Sequence, residues 1–128
     1  MTEQTAIRWE KDADGIVTLT IDDPTQNANT MNELYSRSML ATVERLEKEK
    51  EQITGVYITS GKSMFFAGGD LDDLYKIGPE QAEEFQAGVT EIKRQLRVLE
   101  TLGKPVVAGI NGHALGGGLE ITLATHYR

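Results

Sequence analysis

Three consecutive glycines separate two apolar runs near the end of the sequence. Residues 106–110 form a buried-looking strand pattern, Gly112 to Glu120 a glycine-rich turn, and Leu119 to Ala124 an apolar helical run. Glycines between a strand and a helix bring backbone N–H groups to the helix start without side chains in the way. The stretch therefore predicts an anion-stabilising loop with Glu120 in the first helical turn.

Strand-like and helix-like patterns alternate along the rest of the chain. β-Branched residues beside the turn at Asp12–Gly15 predict a hairpin, and apolar residues three and four apart predict two long helices. Strands that alternate with helices are typical of an α/β fold with crossover connections. The predicted elements are strands at 7–10 and 16–21, a helix at 30–50, a strand at 53–60, helices at 70–77 and 80–102, a strand at 106–110 and a helix at 119–124.

Two features of the long helices are predicted in more detail. Thr30 and Glu33 are spaced as a capping box, in which Thr30 is the N-cap of the first long helix. The second long helix carries a heptad-like apolar stripe from Ala82 to Leu102. We expect this stripe to pack against the core rather than to form a coiled coil.

The composition argues against several classes of protein. The chain has 128 residues, 39% hydrophobic and 26% charged, which is ordinary for one globular domain or a piece of one. The net charge of −7 argues against a nucleic-acid partner, and the absence of cysteine removes disulfide and thiolate chemistry. No apolar run approaches the roughly 20 residues of a membrane span, and the first residues lack a signal-peptide core. We therefore expect a cytoplasmic protein with no membrane span.

A second glycine loop has the same design as the first. Gly68 and Gly69 follow an apolar run and precede a predicted helix, as Gly116–Gly118 do. N–H donors that converge from two loops are what oxyanion stabilisation requires, although glycines at helix starts also serve tight turns and close packing. Glu120 lies in an apolar run, so it is predicted to be either a helix N-terminal charge or a buried functional group.

Other chemistries fit the sequence less well. His113 and His126 each stand alone, so no metal site is predicted. Gly112, Gly116 and Gly118 also resemble the dinucleotide loop of short-chain dehydrogenases, which would make the chain an NAD-binding protein. That loop normally opens its domain, and the acidic residue expected on the ribose about 20 residues later would lie beyond this sequence.

Together, the two glycine motifs resemble the signature segments of the crotonase (enoyl-CoA hydratase/isomerase) family. The matching segments are residues 66–71 and 105–120, and the turn at 29–31 also fits. The resemblance covers nearly the whole chain, from about residue 7 to residue 128. It implies an α/β crotonase-like ββα spiral, of which residues 5–128 would form a truncated domain, the N-terminal portion only.

The resemblance also implies roles for individual residues. The backbone N–H groups of Gly69 and Gly117 would form an oxyanion hole for the thioester oxygen of an acyl-CoA as it becomes enolate-like. Glu120 matches the first of two glutamates that position a water and exchange its proton with the substrate. The residues implied to border the bound CoA are Asn29, Thr30, Met31, Ala67, Gly68, Asp70 and Gly116.

The implied activity is that of an enoyl-CoA hydratase, a lyase that adds water to trans-2-enoyl-CoA thioesters in fatty-acid β-oxidation. The family's second glutamate would lie beyond Arg128. An isomerase of the same family and a non-catalytic acyl-CoA-binding fragment therefore stay open as alternatives. We expect the 128 residues by themselves to be inactive.

The run from Ile92 to Pro105 further resembles the hydratase part of multifunctional fatty-acid-oxidation α chains. In such a chain the acyl-CoA is the substrate and no cofactor is needed, and NAD would enter only with a downstream dehydrogenase domain. The implied partners are copies of the chain in a homo-oligomer, or a thiolase subunit in a multifunctional complex.

Overall fold

The computed structural model describes residues 3–128 and places four strands of this range in one mixed sheet. The strands are β1 (Ile7–Lys11), β2 (Ile16–Ile21), β3 (Gly55–Ser60) and β4 (Val106–Ala108). They lie in the order β1-β2-β3-β4, with β1 antiparallel to β2 and parallel pairing from β2 to β3 and from β3 to β4. The predicted hairpin is confirmed as β1 and β2.

The helices of the described part of the chain supply the crossovers that parallel strands need. They are α1 (Glu33–Glu49), α2 (Leu71–Tyr75), α3 (Ala82–Glu100) and α4 (Gly117–Leu123), with 3-10 turns at Lys50–Gln52 and Pro79–Gln81. The chain passes through α1 between β2 and β3, and through α2 and α3 between β3 and β4. The predicted α/β fold is confirmed, with β3 and β4 each two residues shorter than predicted. Within residues 3–128, none of the helices combines the length and the hydrophobicity needed to cross a bilayer.

The core joins the sheet to α1 and to the start of the first glycine loop. Alternate residues of β2 and helically spaced residues of α1 meet there, and Phe65 and Phe66 are fully buried beside them. Full burial of an aliphatic or aromatic side chain stabilises a fold by about 1.5–3 kcal/mol. The loop that begins at Phe66 is therefore anchored in the core. The main contributors from β2 and α1 are Val17, Leu19, Ile21, Met39, Val43 and Leu46.

The N-terminus of α1 differs from the predicted capping box. The N-cap is Asn32 instead of Thr30, and the Asn32 side-chain oxygen accepts a hydrogen bond from the Tyr35 N–H at 2.8 Å. The preceding residue explains the difference. The Met31 N–H donates to the Gly68 carbonyl at 2.8 Å, so the backbone before Asn32 is held by the first glycine loop and stays outside the helix.

Only part of the apolar stripe on α3 reaches the core, contrary to the prediction. Leu99 is fully buried, whereas Phe85 is 44% exposed. The C-terminal half of α3 packs on α1, where Gln95 Nε2 donates to the Ser36 carbonyl at 3.2 Å. The N-terminal half instead lines a cavity together with α2.

Candidate functional site

The two glycine loops lie directly against each other, as predicted. Phe66 pairs with Ala114 in a parallel bridge. The Phe66 N–H donates to the His113 carbonyl at 3.0 Å, and the Leu115 N–H donates to the Phe66 carbonyl at 2.9 Å. Phe66 follows β3 and Ala114 follows β4, so this short ladder continues the parallel pairing of those strands into the loops.

Two glycines with a positive φ allow the loops to approach so closely. Gly68 has a φ of 104° and Gly116 a φ of 49°, values that residues with a Cβ rarely adopt. The space is equally restrictive, because a Cβ on Gly68 would lie 3.1 Å from the Leu115 carbonyl oxygen. The glycines therefore fix both the turn of each loop and the contact between the loops.

Gly69 and Gly117 both line one cavity of about 490 Å³. Within residues 3–128, the backbone N–H of neither glycine donates a hydrogen bond to a protein acceptor. N–H groups without an acceptor next to a cavity are available to a ligand oxygen. Because α4 has only seven residues, we attribute this capacity to the individual N–H groups and not to a helix dipole.

Glu120 lines the same cavity as Gly69 and Gly117. It lies in the first turn of α4, where its N–H donates to the Gly116 carbonyl at 3.1 Å. Its side chain is exposed, so the predicted alternative of a buried acid is wrong. The carboxylate belongs to the helix start and also borders the cavity.

The rest of this cavity is mostly apolar. α2 and the N-terminal half of α3 form one wall, which accounts for the exposed part of the α3 stripe. An apolar wall beside a few polar groups is typical of a site for a ligand with a hydrocarbon portion. The apolar side chains of the lining are Met31, Leu74, Ile77, Phe85, Val89, Ile92, Leu96 and Leu123.

A second cavity, also of about 490 Å³, shares Gly69 and Asp70 with the first. It is lined by most of the residues that the family resemblance implies at the CoA, together with a polar side chain from the turn before α1, Gln26. The implied CoA residues in its lining are Thr30, Ala67, Gly68, Asp70 and Gly116. Met31 lies in the first cavity instead.

Asn29 is a buried structural residue of the turn before α1. It is only 1% exposed, and its amide donates to the Ile21 carbonyl at 3.0 Å and to the Phe65 carbonyl at 3.1 Å. A third bond runs to Ser60 Oγ at 3.0 Å, and the Asn29 carbonyl accepts from the Ala67 N–H at 2.8 Å. These bonds occupy the buried side chain, and Asn29 is absent from the linings of both cavities. It ties the ends of β2 and β3 to the first glycine loop.

Asp70 closes the first glycine loop as the N-cap of α2. Its Oδ1 accepts from the N–H groups of Asp72 and Asp73, both at 3.1 Å. Its Oδ2 accepts from Gln26 Nε2 at 2.9 Å, and the Thr30 hydroxyl lies 3.5 Å away. The Gln26 bond, followed by the bond from the Asp73 N–H, lowers the pKa of Asp70. Gln26 was not predicted as a site residue, because its only signal in the sequence is a place in a polar turn.

Neither histidine lines the two cavities. His126 Nδ1 accepts from the Val106 N–H at 2.9 Å, and its Nε2 lies 2.8 Å from the Glu100 carbonyl oxygen. The ring therefore links α3 to β4. Among residues 3–128, no three His, Asp or Glu side chains are grouped so that they could hold a metal ion.

Comparison with known proteins shows the family to which the chain belongs. The family model described as enoyl-CoA hydratase/isomerase matches residues 11–128. The chain belongs to the enoyl-CoA hydratase/isomerase family. This membership sets aside the short-chain-dehydrogenase interpretation of the second glycine loop, which follows the fourth strand of the sheet and not the first.

Curated relatives of this family carry the name fatty acid oxidation complex subunit alpha. The relative from Aliivibrio fischeri is 34% identical over 129 residues, which is 100% of this chain and 18% of the relative. The relative from Pseudomonas aeruginosa is 38% identical over 114 residues, which is 89% of this chain and 16% of the relative. The chain therefore spans less than a fifth of the length of these relatives.

Solved structures confirm the crotonase fold. An enoyl-CoA hydratase from Bacillus anthracis superposes with a TM-score of 0.84 and 26% identity, covering 97% of this chain and 46% of that structure. An enoyl-CoA hydratase from Bacillus halodurans gives a TM-score of 0.84 at 24% identity, covering 95% of this chain and 48% of that structure, and supports the fold alone.

Proposed function

We propose that the protein is an enoyl-CoA hydratase of fatty-acid β-oxidation, which adds water across the double bond of a trans-2-enoyl-CoA. The observation that carries this proposal is that Gly69, Gly117 and Glu120 line one cavity. Two free N–H donors and a carboxylate are the groups that the addition of water to an unsaturated thioester requires.

The two N–H groups would stabilise the charge that develops during the addition. When the water oxygen bonds to C3, the electrons of the double bond move towards the thioester, and its oxygen becomes enolate-like. Hydrogen bonds from Gly69 and Gly117 strengthen as this charge grows. Loss of one such donor typically lowers kcat by about 10²–10³-fold.

Glu120 would act on the water. A carboxylate within hydrogen-bond reach orients the water and accepts its proton while the C–O bond forms. The protonated Glu120 carboxyl group would then give this proton to C2 of the enolate, which completes the addition of OH to C3 and H to C2 and restores the carboxylate. The exposed position of Glu120 beside the cavity supports its access to water.

The two cavities would divide the substrate between them. The second cavity, with Thr30, Ala67 and Gly116 in its lining, suits the CoA portion. The apolar wall of the first cavity suits the acyl chain. Gly69 and Asp70 belong to both linings, so the thioester would lie at the junction of the cavities, beside one of the donors.

The names of the relatives support a wider role for the protein. They are α subunits of a fatty acid oxidation complex, so we propose the hydratase region of a multifunctional α chain. Assembly with a thiolase subunit or with copies of itself, a cytoplasmic location, and NAD binding by a dehydrogenase domain are parts of this proposal. The hydration step itself would use no cofactor.

The kcat for hydration of crotonyl-CoA by the full-length protein tests the proposal. Wild type is compared with the Glu120→Gln variant. Loss of a general acid/base group is expected to lower kcat by about 10²–10⁴-fold. Asp73→Asn is the matched control, since it removes a different carboxylate from the lining of the same cavity, and we expect a far smaller effect. Undiminished turnover by the Glu120→Gln protein would remove Glu120 from the mechanism.

The same groups allow two alternatives that further measurements separate. Free N–H donors also suit an isomerase, which would shift the double bond of a 3-enoyl-CoA without adding water. They equally suit a module that binds acyl-CoA without turnover. Isomerisation in place of hydration identifies the first alternative, and calorimetric binding of crotonyl-CoA with neither reaction identifies the second.

A further inference from the structure

Met31 contacts the peptide group that joins Gly68 to Gly69 through its backbone, and it contacts Gly117 through its side chain. We infer that Met31 is a positioning residue that sets the Gly69 and Gly117 N–H groups relative to each other. The inference rests on the proposed function for its consequence in catalysis. The coupling between the two glycines, however, is a property of the fold that can be measured without substrate.

The backbone contact controls the orientation of the Gly69 N–H. The Met31 N–H donates to the Gly68 carbonyl at 2.8 Å. That carbonyl and the Gly69 N–H belong to one peptide group, which is trans and planar, so the two groups point in opposite directions. Fixing the carbonyl therefore fixes the N–H. A hydrogen bond accepted by the carbonyl also polarises the peptide and strengthens its N–H as a donor.

A second hydrogen bond keeps this backbone contact in place. The Ala67 N–H donates to the Asn29 carbonyl at 2.8 Å, so residues 29–31 and 67–68 are joined by two bonds. Asn29 is itself buried and held by its side chain. The backbone of Met31 is thus attached to the core on one side and to the Gly69 peptide on the other.

The side-chain contact controls the position of Gly117. A Cβ on Gly117 would lie 2.5 Å from Met31 Sδ and 2.6 Å from Met31 Cε, so the thioether fills the space above this glycine. Gly117 does not have a positive φ, and its backbone would accept alanine. The Met31 thioether, not the backbone conformation, is therefore what has to move before a side chain fits at this position.

The two contacts make one residue the spacer between the donors. A shorter side chain would leave Gly117 free to move relative to Gly69, while the backbone bond to Gly68 stays. Stabilisation of a developing oxyanion depends on the placement of both donors, and a misplacement of about 1 Å can lower a rate by 10²-fold. The loss is expected in kcat rather than in KM, because the ground-state carbonyl depends less on the donors.

NMR spectroscopy of the ¹⁵N-labelled 128-residue chain tests the coupling without ligand. Gly117→Ala displaces the Met31 side chain, so we expect the Gly69 amide resonance to move. The second comparison is between the double variant Met31→Ala/Gly117→Ala and the single variant Met31→Ala. The Gly69 amide resonance is expected to be the same in both, because the thioether that an alanine at position 117 would displace is absent. An equal shift on both backgrounds, or no shift on either, would overturn the inference. Met31→Val, which lacks Sδ and Cε, replaces Met31→Ala if that variant does not fold.

Hydratase kinetics of the full-length protein test the catalytic consequence. Met31→Ala is expected to lower kcat by roughly 10–100-fold with KM changed less than about threefold, and Met31→Leu, which restores the bulk, is expected to recover most of kcat. An unchanged kcat in Met31→Ala would contradict the positioning role. A wild-type protein without hydratase activity but with the NMR coupling intact would count against the proposed function and leave the spacer role of Met31 standing.

Discussion

Gln26 donates a side-chain hydrogen bond to Asp70, from Nε2 to Oδ2 at 2.9 Å. This bond joins the polar turn before α1 to the N-cap of α2. Among the contacts that lower the pKa of Asp70, it has the largest effect. The titration of Asp70 therefore reports whether the turn and the first glycine loop are in contact.

Gln26→Leu is expected to raise the pKa of Asp70 towards the ordinary value for aspartate, because the main hydrogen bond to its charged form is lost. Thr30→Val is the matched control. The Thr30 hydroxyl lies 3.5 Å from the same Asp70 oxygen and is the last of the contributions, so its removal should raise the pKa less. Carbon-detected NMR titration of the Asp70 carboxylate measures both shifts. An equal pKa in wild type and Gln26→Leu would contradict the assignment.

The lowered pKa of Asp22 predicts the acid side of the stability profile. Arg8 Nη1 lies 2.6 Å from this carboxylate and Lys62 Nζ lies 3.0 Å away, and hydrogen bonds from Arg8 and then Lys62 lower the pKa. A carboxylate with a lowered folded-state pKa stabilises the fold above its unfolded pKa of about 3.9, and this stabilisation is lost as the pH falls through the folded-state pKa.

Asp22→Asn is therefore expected to lower the free energy of unfolding by about 0.2–1 kcal/mol near pH 7, the range of exposed ion pairs. The difference from wild type should vanish at a pH below the folded-state pKa. Asp14→Asn, at an exposed turn residue of the β1–β2 hairpin, should change stability little. Urea titrations at several pH values measure these differences, and a loss for Asp22→Asn that is constant with pH would contradict the explanation.

The buried amide of Asn29 predicts a severe effect of a nearly isosteric change. Asn29→Asp removes the donor that serves Ile21, Ser60 and Phe65 and places a carboxylate among acceptors. We expect a loss on the order of 3 kcal/mol in the free energy of unfolding, since buried acceptors lose their partner. Asn27→Asp makes the same change at an exposed residue of the same turn and should be nearly neutral. Similar melting temperatures for the two variants would refute the prediction.

Two glycines in helices predict opposite effects of the same substitution. A Cβ on Gly118 in α4 would lie 2.6 Å from Phe66 Cβ and 2.8 Å from the Phe66 carbonyl oxygen, so Gly118→Ala should destabilise the fold by about 1–3 kcal/mol. A Cβ on Gly88 in α3 would meet no atom within 4 Å. Gly88→Ala should stabilise the fold by about 0.5–1 kcal/mol, because alanine favours a helix interior. Thermal unfolding of both variants shows whether the signs differ.

Features that depend on local patterns could be predicted from the sequence. Apolar periodicity together with turn residues places the four strands and the four α-helices of the described residues within a few residues of their observed bounds. The meeting of the two glycine loops was also predictable, because both follow strands that pair in parallel and the carboxyl ends of such strands lie at one edge of a sheet. The candidate site at this edge follows from Gly69, Gly117 and Glu120 together.

Features that depend on contacts between distant segments could not be predicted. Thr30 has the spacing of an N-cap, but the bond from Met31 to Gly68 delays the helix to Asn32, and no local pattern encodes that bond. Asn29 is a polar residue in a polar turn, so its burial follows only from acceptors on three other segments. Periodicity likewise showed which side of α3 is apolar without showing whether the sheet or a cavity faces it.

The hydrogen bond between the Leu115 N–H and the Phe66 carbonyl closes a long loop that contains α2, α3 and β4. Closing such a loop removes chain entropy before any contact between the ends is gained. The two donors come together only in the folded chain, so an unfolded chain has no site. A ligand that bridges Gly69 and Gly117 would bind the folded state alone and would raise its stability by about 2.7 kcal/mol at 100 times Kd. Such a ligand would therefore stabilise the fold as well as occupy the site.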